Sequence, residues 1–245
     1  MRNGNTILFP EKNILFFGKM APITDEKGLS VYLNEACRDH PLIKPILTNN
    51  VSLFREMCTP ESANRLVKGQ YPLYFALMFS GKEITDCLIR ITDNINRADD
   101  TGSTLLTHAF RGIETAARLA CREISESNDN KVMFGFNRTK ERLLDAAEKM
   151  IHAGADVNAI NVFGETPLSL AVHSRQAEAV RLLIENGANA CHGISCREAT
   201  PRLSYRLGAI VDPFTVLGSF ITPSGRKWYK ETVSLLKKAR TPYEW

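Results

Sequence analysis

The chain repeats itself, and that self-similarity decides the fold before any single residue does, because a period of about 20–50 residues marks architectures built by stacking one small unit. The clearest copy reads Gly164-Glu165-Thr166-Pro167-Leu168-Ser169-Leu170-Ala171, followed by Val180-Arg181-Leu182-Leu183-Ile184 and Asn186-Gly187-Ala188-Asn189. An earlier copy runs Gly69-Gln70-Tyr71-Pro72-Leu73-Tyr74-Phe75-Ala76, then Cys87-Leu88-Ile89 and Asn94-Ile95-Asn96. Gly102-Ser103-Thr104-Leu105-Leu106-Thr107-His108-Ala109 begins 33 residues after Gly69. The interval from Gly102 to Gly164 is 62, which exceeds 33 by 29, and the closing Ala153-Gly154-Ala155-Asp156-Val157-Asn158 arrives late by the same 29. Two spacings thus report one insertion inside one repeat. Thr200-Pro201-Arg202-Leu203 stands 34 residues after Thr166 and opens a last, degenerate copy.

The chemistry of the positions agrees. Thr166 before Pro167 is a helix N-cap followed by proline at the first helical position, where a missing N–H costs nothing. Leu168 and Ala171, then Val180, Leu182 and Leu183, are spaced to face between packed helices. Gly154 and Gly187 stand where a second helix needs a left-handed residue to end it, and Asp156 and Asn158 are turn formers. This pattern resembles the ankyrin repeat, a β-turn and two antiparallel helices with a T-P-L-H-x-A signature. The resemblance covers about 65–240, is strongest over 159–191 and good over 66–98, and splits between the two ends of 99–158. Leu105 in place of the proline, His108 one position late and Arg175 in place of a joining glycine depart from the family pattern.

The implied fold is all-α: a solenoid of three repeats at about 66–98, 99–158 and 159–191, with a degenerate C-terminal capping unit from about 192 and an irregular N-terminal cap over 1–64. One repeat cannot bury both its faces, so the domain at 65–245 folds as a stack whose ends need caps. Within 1–64, two short strands are expected around Pro10, helices at 29–38, 51–58 and 61–68, and a break at Pro41 and Pro45. The insertion, about 113–139, reads as two overlong helices projecting from the stack with a polar loop at 125–130. Met133, Phe134 and Phe136 fall in that loop region, either packing between the helices or forming an exposed contact patch.

A catalytic reading finds little support. Cys37-Arg38-Asp39-His40 places a thiol, a carboxylate and an imidazole in sequence, but neighbours on a helix point apart, and polar capping of the helix end is the simpler role. Cys191, His192 and Cys196 lack a fourth zinc ligand at a usual spacing. No phosphate-binding glycine loop, dinucleotide fingerprint, metalloprotease helix or nucleophile elbow is present. No cofactor, metal or small-molecule substrate is expected. Six scattered cysteines read as free thiols. The longest uncharged central stretch, 69–81, is too short to span a bilayer, and no secretory leader is legible, so a soluble, cytoplasmic protein is expected. Residues 196–245 carry nine basic and four acidic side chains. That excess reads as the solvated face of a closing helix rather than a site for nucleic acid or anionic lipid.

The expected function is therefore binding of a protein partner. In the ankyrin family, partners dock on the concave side made by the turn tips and first helices. Carried over by alignment, this implies Arg97, Asp99, Ile160 and Phe163 at the tips, and Tyr74, Met78, Arg111 and His173 on the first helices. Val162-Phe163 is the most telling pair, because a polar turn would suffice for folding. Short, diverged ankyrin stacks with a long insertion are similar to effectors that intracellular bacteria deliver into host cells. A eukaryotic adaptor or inhibitor of ankyrin type, and an enzyme using the N-terminal segment, are the alternatives.

Overall fold

The computed structural model describes residues 26–127, 130–190 and 226–239. The expected strands near Pro10, the Thr200-Pro201 copy and the Cys191, His192, Cys196 trio lie outside these residues. So do the side chains of Met133, Phe134, Trp228 and Tyr229. Among the described residues every regular element is a helix, and the β-type contact is an isolated bridge between Val67 and Gln70. The chain divides into two compact units, Met1–Asp93 and Asn94–Trp245.

The first unit holds α1 (Glu26–Asp39), α2 (Ile43–Leu47), α3 (Val51–Met57), α4 (Pro60–Asn64), α5 (Pro72–Phe79) and α6 (Lys82–Ile91). Its centre is α5, whose Pro72–Leu77 run is buried on every side. A helix apolar all round has no face to offer water, so it must be surrounded, and α2, α4 and α6 pack against it. Tyr32 of α1 stacks on Phe75 at 6.3 Å, and Tyr74 meets Phe75 edge-on at 5.6 Å. By contrast α6 is two-sided, burying Ile84, Thr85, Leu88 and Ile89 while Lys82, Glu83 and Arg90 face water. Asn49, held at φ 48°, ties two turns together: its Oδ1 accepts from Gly81 N at 2.8 Å and from Ser80 Oγ at 3.1 Å.

Two expectations for this segment fail for local reasons. The helix expected over 61–68 stops at Asn64. Lys68 and Gly69 both take positive φ, 52° and 81°, and close a tight turn in which Val67 and Gln70 exchange backbone hydrogen bonds at 2.8 and 2.9 Å. The break expected at Pro41 and Pro45 contains a helix instead, with Pro45 buried as the third residue of α2. A first-turn position has no intrahelical N–H bond to lose, so the proline is harmless there.

The second unit holds α7 (Leu105–Ser127), α8 (Asn130–His152), α9 (Pro167–His173), α10 (Ala177–Glu185) and α11 (Arg226–Ala239). Each packs on the next in the order α8, α7, α9, α10, α11. Helices α7 and α8 are 23 residues each against 7 and 9 in α9 and α10, and the 113–139 segment expected to project lies along these two long helices. The polar loop expected at 125–130 is correspondingly smaller: α7 runs through Ser127 and α8 starts at Asn130, which also puts Met133, Phe134 and Phe136 on a helix rather than in a loop. Phe136 is 9% exposed and packs with Ala117 and Ala120 of α7, whose small side chains let the two long helices approach. Lower down, Leu106, Phe110, Ile113, Ala147 and Met150 are wholly buried. A single buried phenylalanine of this kind contributes about 1.5–3 kcal/mol.

Helix α9 starts as its sequence requires. Thr166 Oγ1 accepts from Ser169 N at 3.1 Å, Ser169 Oγ accepts from Thr166 N at 3.0 Å, and Pro167 fills the first helical position. Arg175, where a glycine would be expected, takes φ 56° in the turn between α9 and α10. At the far end α11 buries Thr232 and Leu236 against α10, leaves Lys230 exposed, and pairs Glu231 with Arg181.

Candidate functional site

The second unit presents two turns of the same design. In the first, Asp99 Oδ1 accepts from Thr101 N at 2.8 Å, Ser103 N at 3.1 Å and Thr101 Oγ1 at 2.6 Å. In the second, Asn161 Oδ1 accepts from Phe163 N at 3.0 Å and Glu165 N at 2.9 Å. Asp99 and Asn161 are 62 residues apart, the interval that separates Gly102 from Gly164. The turns are stitched together by Val162 N donating to the Thr101 carbonyl at 2.8 Å and Asn161 Nδ2 donating to Ser103 Oγ at 3.1 Å. Gly102, at φ 74°, lets the backbones meet: a Cβ there would lie 3.3 Å from Asn161 Cα.

Each turn carboxylate or amide is braced by a different group. Asp99 Oδ2 meets His108 Nε2 at 2.8 Å, with 3% and 6% of their side chains exposed. Asn161 Nδ2 donates to Glu165 Oε2 at 2.7 Å, and Glu165 is gripped on both oxygens by Arg111 of α7. Burial raises the pKa of the neighbouring Glu114 carboxyl, opposed by the Arg118 and Arg111 charges. Burial likewise pulls the His173 pKa down, with Glu165 opposing and Arg175 reinforcing.

A second set of side chains closes each copy onto the next. Asn96 Oδ1 accepts from Asp156 N at 2.6 Å while its Nδ2 donates to the Gly154 carbonyl at 2.8 Å. Asn158 does the same one step on, accepting from Asn189 N at 2.8 Å and donating to the Gly187 carbonyl at 3.2 Å. Within the first unit Asn64 accepts from Asp93 N at 2.9 Å and donates to the Ile91 carbonyl at 3.0 Å. Sequence reasoning treated Asp156 and Asn158 as turn formers only, and missed this ladder and the Asp99–His108 brace. The 62-residue interval between Asn96 and Asn158 was the available signal.

With these bonds in place, the side chains expected at an interface fall into three groups. Ile160 at 41% and Val162 at 60% exposed are large apolar side chains open to water, and Arg97 is exposed beside them in sequence order of the turns. Phe163 is half-buried, as are Arg111 and His173. Asp99 is spent on its turn and on His108. Tyr74 is 2% exposed and belongs to the core of the first unit, correcting its expected place on a surface, because the all-round apolar α5 leaves it no exit. Met78, on the same helix, is half-buried.

In the thiol–imidazole run the imidazole is turned into the fold. His40 is 1% exposed, its Nδ1 accepts from Leu42 N at 3.2 Å, and burial, then the Arg65 charge, lower its pKa. Its ring accepts at the start of α2, whose N-cap residue is Leu42. Among the described residues no three His, Cys, Asp or Glu side chains are grouped to hold a metal ion, and no helix is long and apolar enough to cross a membrane.

No curated protein matches this chain. The family described as Ankyrin repeat matches residues 163–193, a stretch that begins in the second turn, contains α9 and α10 and ends just beyond Ala190. One ankyrin repeat is therefore present, set in an all-α stack of helices, and the feature is one associated with protein binding rather than catalysis.

Proposed function

We propose that the protein is a non-enzymatic binding module that holds a partner protein on the turn tips of its second unit. The observation that carries this is the exposed apolar pair Ile160 and Val162, at 41% and 60%, on turns whose backbone is fully committed to Asp99, Asn161 and each other. Folding asks nothing apolar of those two positions. Arg97, Phe163, Arg111 and His173 complete the proposed surface, the arginines and the phenylalanine being side-chain types that anchor interfaces. Three ankyrin repeats with the 113–139 insertion in the second, a C-terminal cap that includes α11 and an N-terminal cap form the scaffold on this reading. The repeated spacing of Asp99 with Asn161 and of Asn96 with Asn158 supports it.

The partner is read as a eukaryotic host protein, met in the host cytoplasm after non-classical secretion. This rests on the likeness of short, diverged ankyrin stacks with a long insertion to bacterial effectors. The test compares capture from a eukaryotic cell lysate by the wild-type chain and by Ile160→Asp with Val162→Asp. A partner retained by the wild type and lost by the folded double variant is the expected result. Equal retention by both would move the binding surface elsewhere.

A further inference from the structure

The first unit carries a pair of thiols that the binding function does not use. Cys58 caps the C-terminus of α3 and Cys87 lies in the middle of α6, two helices that pack together. The pairing across this seam is fixed independently by Arg55 and Glu83, which form an ion pair between the same helices. Arg55 stands three residues before Cys58 and Glu83 four before Cys87, the spacings that put side chains on one helix face. One turn along from the ion pair, the two thiols therefore fall on facing sides of the seam, and Cys87 is among the groups that raise the Cys58 pKa. Phe54 of α3 and Ile84 of α6 are both buried. Both cysteines are free and half-exposed, so a small reagent reaches them.

We propose that Cys58 and Cys87 form a redox-active dithiol that exchanges with low-molecular-weight disulfides of the glutathione class and closes an internal bond between α3 and α6. In the first step the Cys87 thiolate attacks one sulfur of oxidised glutathione. A protein–glutathione mixed disulfide forms and one glutathione thiolate leaves. In the second step Cys58 gives its proton to solvent and attacks Cys87 Sγ, forming the internal disulfide and expelling the second glutathione. Two protein thiols are oxidised and one glutathione disulfide is reduced to two thiols. The order of roles follows from Cys58. Burial, then the neighbouring Cys87, push the Cys58 pKa up to about 11, so Cys58 holds its proton more tightly and enters in the second step.

The test incubates the full native chain with oxidised glutathione, blocks remaining thiols with an alkylating agent and maps the peptides by mass spectrometry. A cross-linked peptide joining Cys58 to Cys87, lighter by two hydrogens and abolished by dithiothreitol, is expected. In Cys58→Ser the reaction stops after its first step, so a glutathione adduct accumulates on Cys87. In Cys87→Ser no adduct builds up on Cys58 at the same rate. Absence of the cross-link in the native chain, or adducts appearing equally on Cys58 and Cys87 in the two single variants, overturns the proposal.

Discussion

Replacing Asn161 by alanine tests how the second turn is held. The side chain accepts from two backbone N–H groups, Phe163 at 3.0 Å and Glu165 at 2.9 Å, and donates to Ser103 Oγ at 3.1 Å and Glu165 Oε2 at 2.7 Å. Asn161 is 5% exposed, so little water is at hand to replace it. Ser103 and Glu165 retain other partners, Thr101 and Arg111, and lose little. The two amides lose an acceptor outright at about 1 kcal/mol each, and the lost donors add a fraction more, giving about 2–3 kcal/mol in all. Urea denaturation followed by far-UV circular dichroism should show a midpoint lowered by that amount at unchanged slope. Hydrogen exchange at the Phe163 and Glu165 amides should quicken first. Asn161→Asp separates acceptor from donor: it keeps both backbone bonds, as Asp99 does, but sets a second carboxylate against Glu165 where Asp99 has His108. It should fall between wild type and Asn161→Ala at neutral pH. A loss under about 0.5 kcal/mol for the alanine variant would refute the reasoning, because the turn would then be held by its backbone alone.

Gly102→Ala must carry a Cβ at φ 74° and 3.3 Å from the Asn161 backbone, and should cost about 1–3 kcal/mol by the same denaturation assay. Stability should also fall on acidification. His40 and His173 both have folded pKa values below the ordinary 6.5, so the unfolded chain binds more protons. Their contribution is complete above about 6.5 and declines as pH drops beneath it. The urea midpoint measured from pH 7.5 to 5 should fall, and more shallowly in His40→Gln; a midpoint that rises towards pH 5 would show the histidines charged in the fold.

Much of this architecture was legible because its determinants are local. Thr166-Pro167 with Ser169, the apolar spacing of α10, and the glycines at 154 and 187 act within a few residues, and each stands where its pattern placed it. The 29-residue excess was legible for another reason: a repeat supplies its own ruler. What escaped was decided across the fold. Tyr74 looks like a first-helix surface position by alignment, but α5 is enclosed on all sides, and no local pattern records what its neighbours cover. Pro45 reads as a breaker until its place in a helix's first turn is known. Asn96, Asn158 and the Asp99–His108 pair bond to backbone or side chains that the linear sequence separates, so residue type alone, which made Asn158 a turn former and Asp99 an interface residue, did not reveal those bonds.

The central claim, that Ile160 and Val162 mark the partner-binding surface, is tested most directly by placing a photoreactive amino acid at position 162 and, as control, at position 118 on α7. Arg118 is as open to water as Val162, with 63% of its side chain exposed, but lies on the long helix away from the turn tips in sequence. Irradiation in a eukaryotic lysate should yield one discrete cross-linked product from position 162 and none from position 118, and that product should vanish when Ile160→Asp is added. Cross-linking from position 118 with none from position 162 would contradict the account and assign binding to the long helices.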